Sequence, residues 1–271
     1  MVVVFYRKKK ERYIIISGIL NDQKEFLMRK KRLLNSGYGF MSALDPSSIL
    51  YKKSRIGIPM ALYMVFYCVT FVLTENWNRL HYTVIHTAVD DRIPFCEIFI
   101  IPYLLWFVYM TGFTLYMLMQ DEKSYHEVCT FLVIGMTVFL VVSIFFPNIL
   151  FLRPESMPRD NILTRICAAL YAADTPTNVT PSIHVYNSIC VMIAVWKTDA
   201  KLMRSTAVKV FMTALGFSII LATMFLKQHS FSDVVIAAGL SIFSYILVYK
   251  MGFVFIDSRK RRTVFKSVLE Q

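Results

Sequence analysis

Six long apolar stretches limit what this chain can fold into. They cover residues 56–73, 96–119, 128–146, 182–196, 208–226 and 233–255. About 20 apolar residues in a helix are needed to cross the roughly 30 Å hydrocarbon core of a bilayer. The fourth stretch is short, which is tolerated if its first turn belongs to a buried site lined by water or protein. The pattern predicts an all-α membrane protein, a bundle of about six transmembrane helices.

The composition agrees with a chain whose main solvent is the bilayer. Of its 271 residues 56% are hydrophobic and 15% aromatic, and the mean hydropathy is +0.51. These values are too apolar for an ordinary soluble domain. We therefore expect one membrane domain, residues 56–255, between a basic N-terminal segment, residues 1–55, and a basic tail, residues 256–271.

The distribution of basic residues predicts how the bundle is oriented. The net charge is +12, and 24 of the 30 lysines and arginines lie in segments on one side of the alternating loops: residues 1–55, 120–127, 197–209 and 250–271. The positive-inside rule makes that side cytoplasmic, with both termini inside. The basic runs lie close to apolar segments, so we expect them to bind anionic lipid and not nucleic acid.

The N-terminal segment has two interpretations. Residues 25–34 place apolar side chains around a basic run, which fits an amphipathic helix on the membrane surface, but a disordered basic tail fits equally. A start at Met28 or Met41 is a further reading. The first residues lack the apolar core of a cleaved signal peptide, so insertion is expected to begin with an internal span.

The pattern of the five cysteines predicts that they pack as small apolar side chains. It indicates neither a metal site nor a disulfide framework. They are odd in number and form no CxxC motif or Cys/His cluster. Four lie in or beside apolar stretches, where a thiol behaves as a small hydrophobic group. We expect neither a metal nor another cofactor.

Polar residues concentrate in the exterior loops, and three clusters follow one another along the chain. They are Arg153-Pro154, the run from Pro181 to His184, and the run from His229 to Asp233. Placing an ionisable group at membrane depth costs free energy, so we interpret these residues first as functional.

His229 and Asp233 are four residues apart, which brings both side chains to one face of a helical turn. The aspartate would then orient the imidazole by accepting a hydrogen bond from one ring nitrogen, leaving the other to attack. An equally good reading is that Asp233 only caps the helix that follows.

Pro181 and Ser182 are typical of a helix start, with Ser182 as the N-cap or a first-turn residue. The free N–H groups of such a terminus suit a phosphate oxygen. His184 would lie near that phosphate as a general acid, or be an interfacial residue without a role in chemistry. Arg153 offers a planar cationic fork for phosphate, or extends toward lipid headgroups.

Together the clusters resemble the type 2 phosphatidic acid phosphatase superfamily, whose pattern is KxxxxxxRP, PSxH and SRxxxxxHxxxD. The resemblance covers about residues 56–255, and residues 174–184 are similar to bacterial members. It implies a metal-independent phosphatase in which His229 forms a phosphohistidine, His184 protonates the leaving group and Asp233 orients His229. It also implies Ser182, Arg153 and Lys227 as phosphate ligands.

The chain departs from this pattern at two cationic positions. The family lysine falls on Phe146, and the Ser-Arg of the third motif falls on Ala222-Thr223. Charge on a transferring phosphoryl group must be compensated, so Lys227 and a helix N-terminus would have to substitute. Sphingomyelin and inositol-phosphorylceramide synthases also use a histidine and an HxxxD motif without the arginine that precedes it in the third motif, and residues 90–95 resemble one of their exterior motifs.

The leading prediction is a phosphatase of the cell membrane that acts on the extracytoplasmic face. The resemblance to bacterial members implies that this membrane is a bacterial plasma membrane. The implied substrates are phosphatidic acid, phosphatidylglycerol phosphate or a polyprenyl diphosphate. Two alternatives remain: a phosphotransferase that passes the phosphorylated head to a lipid alcohol, and a transporter-like relative without catalysis. Asn178 fits a glycosylation acceptor, but its place beside the site favours a structural role in the loop.

Overall fold

The computed structural model describes residues 49–77 and 79–255, so the expectations for the N-terminal segment before residue 49 and for the basic tail lie outside the described residues. The chain divides into two units, residues 1–58 and 59–271. Within the described parts we number seven α-helices: α1 (Ile49–Glu75), α2 (Ile100–Gln120), α3 (Glu122–Phe145), α4 (Ile162–Ala173), α5 (Ile183–Lys197), α6 (Thr206–Phe225) and α7 (Phe231–Tyr245). The first unit is described only in the opening turns of α1, and the second holds all that follows.

Short elements complete the second unit. Two 3₁₀ turns lie before α2 and α6, at Glu97–Phe99 and Lys201–Arg204, and a π-helical turn, Ile246–Lys250, extends α7. The strands β1 (Thr83–Val84) and β2 (Asn148–Ile149) pair in parallel, with Thr83 opposite Asn148.

The predicted membrane-protein class is confirmed, and the predicted apolar stretches fall on helices. Five helical segments are long and apolar enough to cross a bilayer: Ile49–Glu75, Glu97–Gln120, Glu122–Phe145, Thr206–Phe225 and Phe231–Lys250. The fourth predicted span corresponds to α5, which has 15 residues and is about 22 Å long. Six spans therefore stay a prediction. The amphipathic helix α4, between the third and fourth predicted spans, was not anticipated.

Polar residues at the helix starts explain where several elements begin. Asp121 accepts hydrogen bonds from the amide and hydroxyl of Ser124 at the start of α3. Ser182 caps α5 by accepting the Val185 amide, as predicted for this position. Such side chains satisfy amide groups that a helix leaves without partners.

Helix α5 lies at the centre of the bundle and packs against α2, α3, α6 and α7. The hydroxyl of Tyr186 donates to the carbonyl of Phe131 in α3 and shares a hydrogen bond with Ser244 in α7. Gly135 of α3 lies so close to the Tyr186 ring that a Cβ there would overlap it. These contacts join three helices below the residues that open α5.

The segment 174–181 is fixed over the end of the bundle where α5 and α7 begin. Asn148 Oδ1 accepts the amides of Val179 and Thr180, at 2.7 and 3.1 Å. Glu75 Oε1 accepts the side-chain amide of Asn178 at 2.6 Å, and that asparagine is 4% exposed. Asn178 is thus part of the loop's own framework, as favoured from the sequence.

Candidate active site

The two predicted histidines lie together although they are far apart in sequence. His184 is in the first turn of α5, and His229 lies two residues before α7. Their ring centroids are 5.6 Å apart, with the rings inclined by 58°. Groups at this separation can contact one phosphoryl group from two sides.

Aromatic side chains of α2 hold His184. Its ring stacks on Tyr103 with a centroid distance of 4.7 Å, and the Trp106 ring lies 4.3 Å away on centroids. Tyr103 and Trp106 are themselves buried in the bundle. This packing restricts the imidazole orientation and keeps bulk water away from one side of it.

Asp233 caps the helix that follows, and its predicted role of orienting His229 stays a prediction. Its Oδ2 atom accepts the Ser230 amide at 2.9 Å, which completes a capping box at the start of α7. The same oxygen lies 3.6 Å from Nδ1 of His229, and Oδ1 accepts the hydroxyl of Thr180. Nδ1 of His229 is buried and has no hydrogen-bond partner among the residues described. A small rotation of the ring would therefore complete a hydrogen bond to the carboxylate.

Ser182 and Arg153 support the site from outside its cavity. Ser182 is fully buried as the cap of α5. Arg153 donates to the carbonyls of Tyr171, Asp174 and Thr175 at 3.2, 2.7 and 3.3 Å. Its guanidinium also lies over the Tyr171 ring, 4.8 Å from the centroid. The structure thus shows Arg153 anchoring the segment after α4, while its direct contact with phosphate stays a prediction.

The side chain of Lys227 contacts the loop that contains Asp90 and Ile93, and not the cavity lining. Its Nζ donates to the carbonyls of Asp90 and Ile93 at 2.7 and 2.5 Å. Burial lowers the pKa of this lysine, an effect that the nearby carboxylates of Asp90 and Asp91 oppose. A phosphate contact by Lys227, as predicted, requires it to leave these carbonyls.

Asp90 is a buried residue whose importance the sequence reasoning missed. It is 1% exposed, and its carboxylate accepts the Phe231 amide at 2.7 Å and the Ser230 hydroxyl at 2.6 Å. Burial raises its pKa, but the hydrogen bonds from Ser230, Phe231 and Thr87 outweigh this and leave the pKa below its usual range. Asp90 therefore secures the start of α7 beside His229. Its place in residues 90–95 was the only signal in the sequence.

Gln228 was also missed, because it belongs to no motif. It is 2% exposed, and its Oε1 accepts a hydrogen bond from Arg153 Nη2 at 2.6 Å. Its Nε2 is buried without a hydrogen-bond partner in the described parts of the chain. Its position immediately before His229 is the only clue that the sequence offers.

A cavity of about 310 Å³ is lined by His184, Gln228 and His229 among others. Aromatic side chains of α1, α2 and α3 line one part, and polar groups of the 174–181 segment and both histidines line the other. The lining residues are Tyr67, Phe71, Tyr103, Trp106, Phe107, Phe139, Leu170, Asp174, Thr175, Thr177, Asn178, Val179, Ile183, His184, Gln228 and His229. This lining, all within the described chain, contains no lysine or arginine. It suits an amphipathic molecule whose polar head reaches the histidines.

The same described residues contain no group of three or more His, Cys, Asp or Glu side chains arranged to hold a metal ion. Cys129, Cys167 and Cys190 are buried, and the last two are fully enclosed. Their environment fits the packing role predicted for them.

Membrane-length helices, with a histidine pair and an aspartate at one end of the bundle, define a class of multi-pass membrane proteins with a polar site inside the helical domain. Residues 127–257 match the PAP2 superfamily, which supports the resemblance of the chain to the type 2 phosphatidic acid phosphatases. The superfamily generally comprises phosphatases, which supports a phosphoric ester hydrolase at the coarse level. No curated protein and no solved structure matches the chain.

The matched region contains His184, His229 and Asp233 but begins only after α1 and α2. Those two helices supply most of the aromatic lining of the cavity. The candidate site residues thus come from the matched region, whereas the apolar part of the cavity is built mainly outside it.

Proposed function

We propose that the protein is a lipid-phosphate phosphatase that hydrolyses a phosphomonoester or pyrophosphate headgroup through a phosphohistidine at His229. One observation carries this proposal. His184 and His229, 5.6 Å apart on ring centroids, lie at the polar part of a cavity whose other part is aromatic. A phosphate with an apolar leaving group fits both parts at once.

In the first step Nε2 of His229 attacks phosphorus, and the bond from phosphorus to the lipid oxygen breaks. His184 donates its proton to that oxygen, so the lipid leaves as an alcohol or a lower phosphate. Asp233 holds Nδ1–H of His229 and balances the positive charge on the ring. In the second step water attacks the phosphohistidine while His184 takes the water's proton, and inorganic phosphate departs.

The proposal places Ser182, Arg153 and Lys227 at the phosphate end in supporting roles. Ser182 fixes the start of α5, whose free amide groups face an anion favourably. Arg153 shapes the segment 174–181 and adds positive charge behind it. Lys227 contributes charge after a local rearrangement. No metal takes part, so hydrolysis is expected to survive chelators.

The substrate classes in this proposal are phosphatidic acid, phosphatidylglycerol phosphate and polyprenyl diphosphates. The bundle has six spans with both termini in the cytoplasm, and the site opens to the extracytoplasmic side of a bacterial plasma membrane. Anionic lipids bind the basic cytoplasmic segments, since each basic residue near such a surface contributes about 1 kcal/mol.

A phosphate-release screen over these lipid phosphates tests the proposal, with wild type, His229→Ala and His184→Ala purified in parallel. Wild type should release phosphate with and without a chelator, and orthovanadate should inhibit it. His229→Ala should release none above background, and His184→Ala should be slowest on substrates with poor leaving groups. Full activity in His229→Ala would refute the mechanism, and orthovanadate binding without any turnover would favour a transporter-like relative.

The cavity lining supports phosphotransfer as a second candidate. A lining without lysine or arginine compensates less charge, which suits a phosphodiester with one negative charge better than a phosphomonoester with two. Transfer would use the same phosphohistidine, with a lipid hydroxyl replacing water. Supplying a phospholipid donor with and without diacylglycerol or ceramide distinguishes the two, because a transferase forms a new phospholipid and little free phosphate.

A further inference from the structure

The side chain of Gln228 presents an unused hydrogen-bond donor at the cavity that the histidines share. Arg153 has only donors, so the Gln228 atom that it contacts at 2.6 Å must be the carbonyl oxygen Oε1. The amide group Nε2 therefore points away from the guanidinium. Gln228 is 2% exposed and lines the cavity next to His229 in sequence.

An unpaired donor at such a position needs an acceptor from outside the chain. A buried polar group without a partner costs about 1–3 kcal/mol, and native proteins keep few of them. Nε2 of Gln228 has no partner anywhere in residues 49–77 and 79–255. A ligand acceptor at the polar part of the cavity would remove this cost.

The two positions where the family carries cations are unable to supply the missing contact. Phe146 is 69% exposed and apolar, and Thr223 is fully buried with its hydroxyl donating to the Ile220 carbonyl. Both terminal nitrogens of Arg153 already donate hydrogen bonds. Nη1 donates to backbone carbonyls, and Nη2 donates to a backbone carbonyl and to Gln228. Arg153 does not itself line the cavity, and it donates a hydrogen bond to the side chain of Gln228, which does.

We propose that Gln228 Nε2 donates a hydrogen bond to a non-bridging phosphoryl oxygen of the substrate, with Arg153 orienting and polarising the amide from behind. This inference rests on the proposed phosphoryl-transfer function. Gln228 is then a catalytic residue and Arg153 a positioning residue. A neutral amide backed by a guanidinium takes the place of the direct cationic ligands.

Other groups at this part of the cavity fit the assignment. The unpaired atom of Asn178 is its Oδ1, an acceptor, which repels phosphate oxygens and suits a hydroxyl or water. Asp174 lines the same region and lies 3.6 Å from Arg153. Burial raises its pKa, an effect that Arg153 and His229 oppose. Of the two side-chain amides that line the cavity, Asn178 already donates its N–H to Glu75, whereas Nε2 of Gln228 has no acceptor among the described residues.

The substitution Gln228→Glu separates catalysis from structural support. A carboxylate at this position keeps the shape and the contact to Arg153, so the thermal midpoint in detergent should be no lower than that of wild type. It removes the donor and adds a charge facing the phosphoryl group. We expect kcat/KM for lipid-phosphate hydrolysis to fall by about 100-fold or more, since loss of one such donor typically costs this much. The inhibition constant for orthovanadate should rise in parallel.

Two further variants complete the experiment. Gln228→Met keeps the volume without a charge or a donor, and it should also lose kcat/KM and orthovanadate inhibition. Gln120→Glu, at the exposed end of α2, makes the same chemical change away from the cavity and should behave as wild type.

Wild-type rates and orthovanadate inhibition in a stable Gln228→Glu protein would overturn the inference while leaving the proposed function intact. A wild-type protein that releases no phosphate and transfers none would instead overturn the proposed function, and this inference with it. The two failures are therefore distinct.

Discussion

At the scale of single residues, Asp233 links the fold to the chemistry. Its carboxylate accepts the Ser230 amide and the Thr180 hydroxyl, and it lies 3.6 Å from Nδ1 of His229. The carboxylate is fully buried. One side chain thus caps α7, ties it to the 174–181 segment and faces the imidazole.

Substituting Asp233 with asparagine should separate these roles. The amide oxygen can still accept at the helix start, so the variant should fold, but it no longer balances the charge on His229. We expect kcat to fall by about 100-fold or more with a smaller change in KM. Steady-state phosphate release measures this, with Asp91→Asn as the control because Asp91 is exposed on a nearby loop. An unchanged kcat in Asp233→Asn would show that Asp233 only caps the helix and has no role in catalysis.

The sequence predicted those residues whose position depends on local spacing. His229 and Asp233 are one helical turn apart, and Ser182 follows a proline at a helix start, so their geometry follows from short-range rules. The partners of Arg153 were not predictable. Its bonds to residues about 20 and 75 positions away depend on how the segment 174–181 and α7 meet.

At the scale of elements, the hydropathy of each stretch was sufficient to locate the long helices. Helix α4 was missed because its 12 residues are too few to span a bilayer and lie within a loop rich in polar residues. Helix α5 is short because its first turn belongs to the site, where Ser182 and Asn148 satisfy the backbone that lipid would leave unpaired.

The contact between α3 and α5 supplies a test of the packing. Gly135→Ala places a methyl group into the ring of Tyr186, which two hydrogen bonds hold in place. We expect destabilisation of about 1–3 kcal/mol, seen as a lower thermal midpoint in detergent. Gly239→Ala in α7 meets open space and should be neutral or stabilising by up to about 1 kcal/mol. Equal midpoints for both variants would contradict the packing.

At the scale of the whole molecule, the outer surfaces of the helices are apolar. Thr74 is the one buried residue of α1, whose residues are all described, while side chains such as Leu62, Val65 and Phe66 are more than half exposed. Such surfaces in the described bundle need a hydrocarbon solvent. The polar groups of the cavity gather at the end where α5 and α7 begin, which gives the protein two chemically different ends.

Cysteine labelling in intact cells tests which end faces outward. Asp160→Cys lies on the end near the cavity and Lys201→Cys on the segment before α6, and both positions are exposed. In a Cys68→Ser background, a membrane-impermeant maleimide should label Asp160→Cys directly and Lys201→Cys only after permeabilisation. The reverse pattern would place the site on the cytoplasmic side and contradict the positive-inside argument.

The central claim is that His229 becomes covalently phosphorylated during turnover. Wild type mixed with a lipid phosphate and quenched within one turnover at alkaline pH should carry one added phosphoryl group, and peptide mass spectrometry should locate it on His229. His229→Ala should carry none, and Asp233→Asn should accumulate it more slowly. Phosphate release by wild type with no phosphoryl group on His229 at any quench time, or with the group on another residue, would contradict the account.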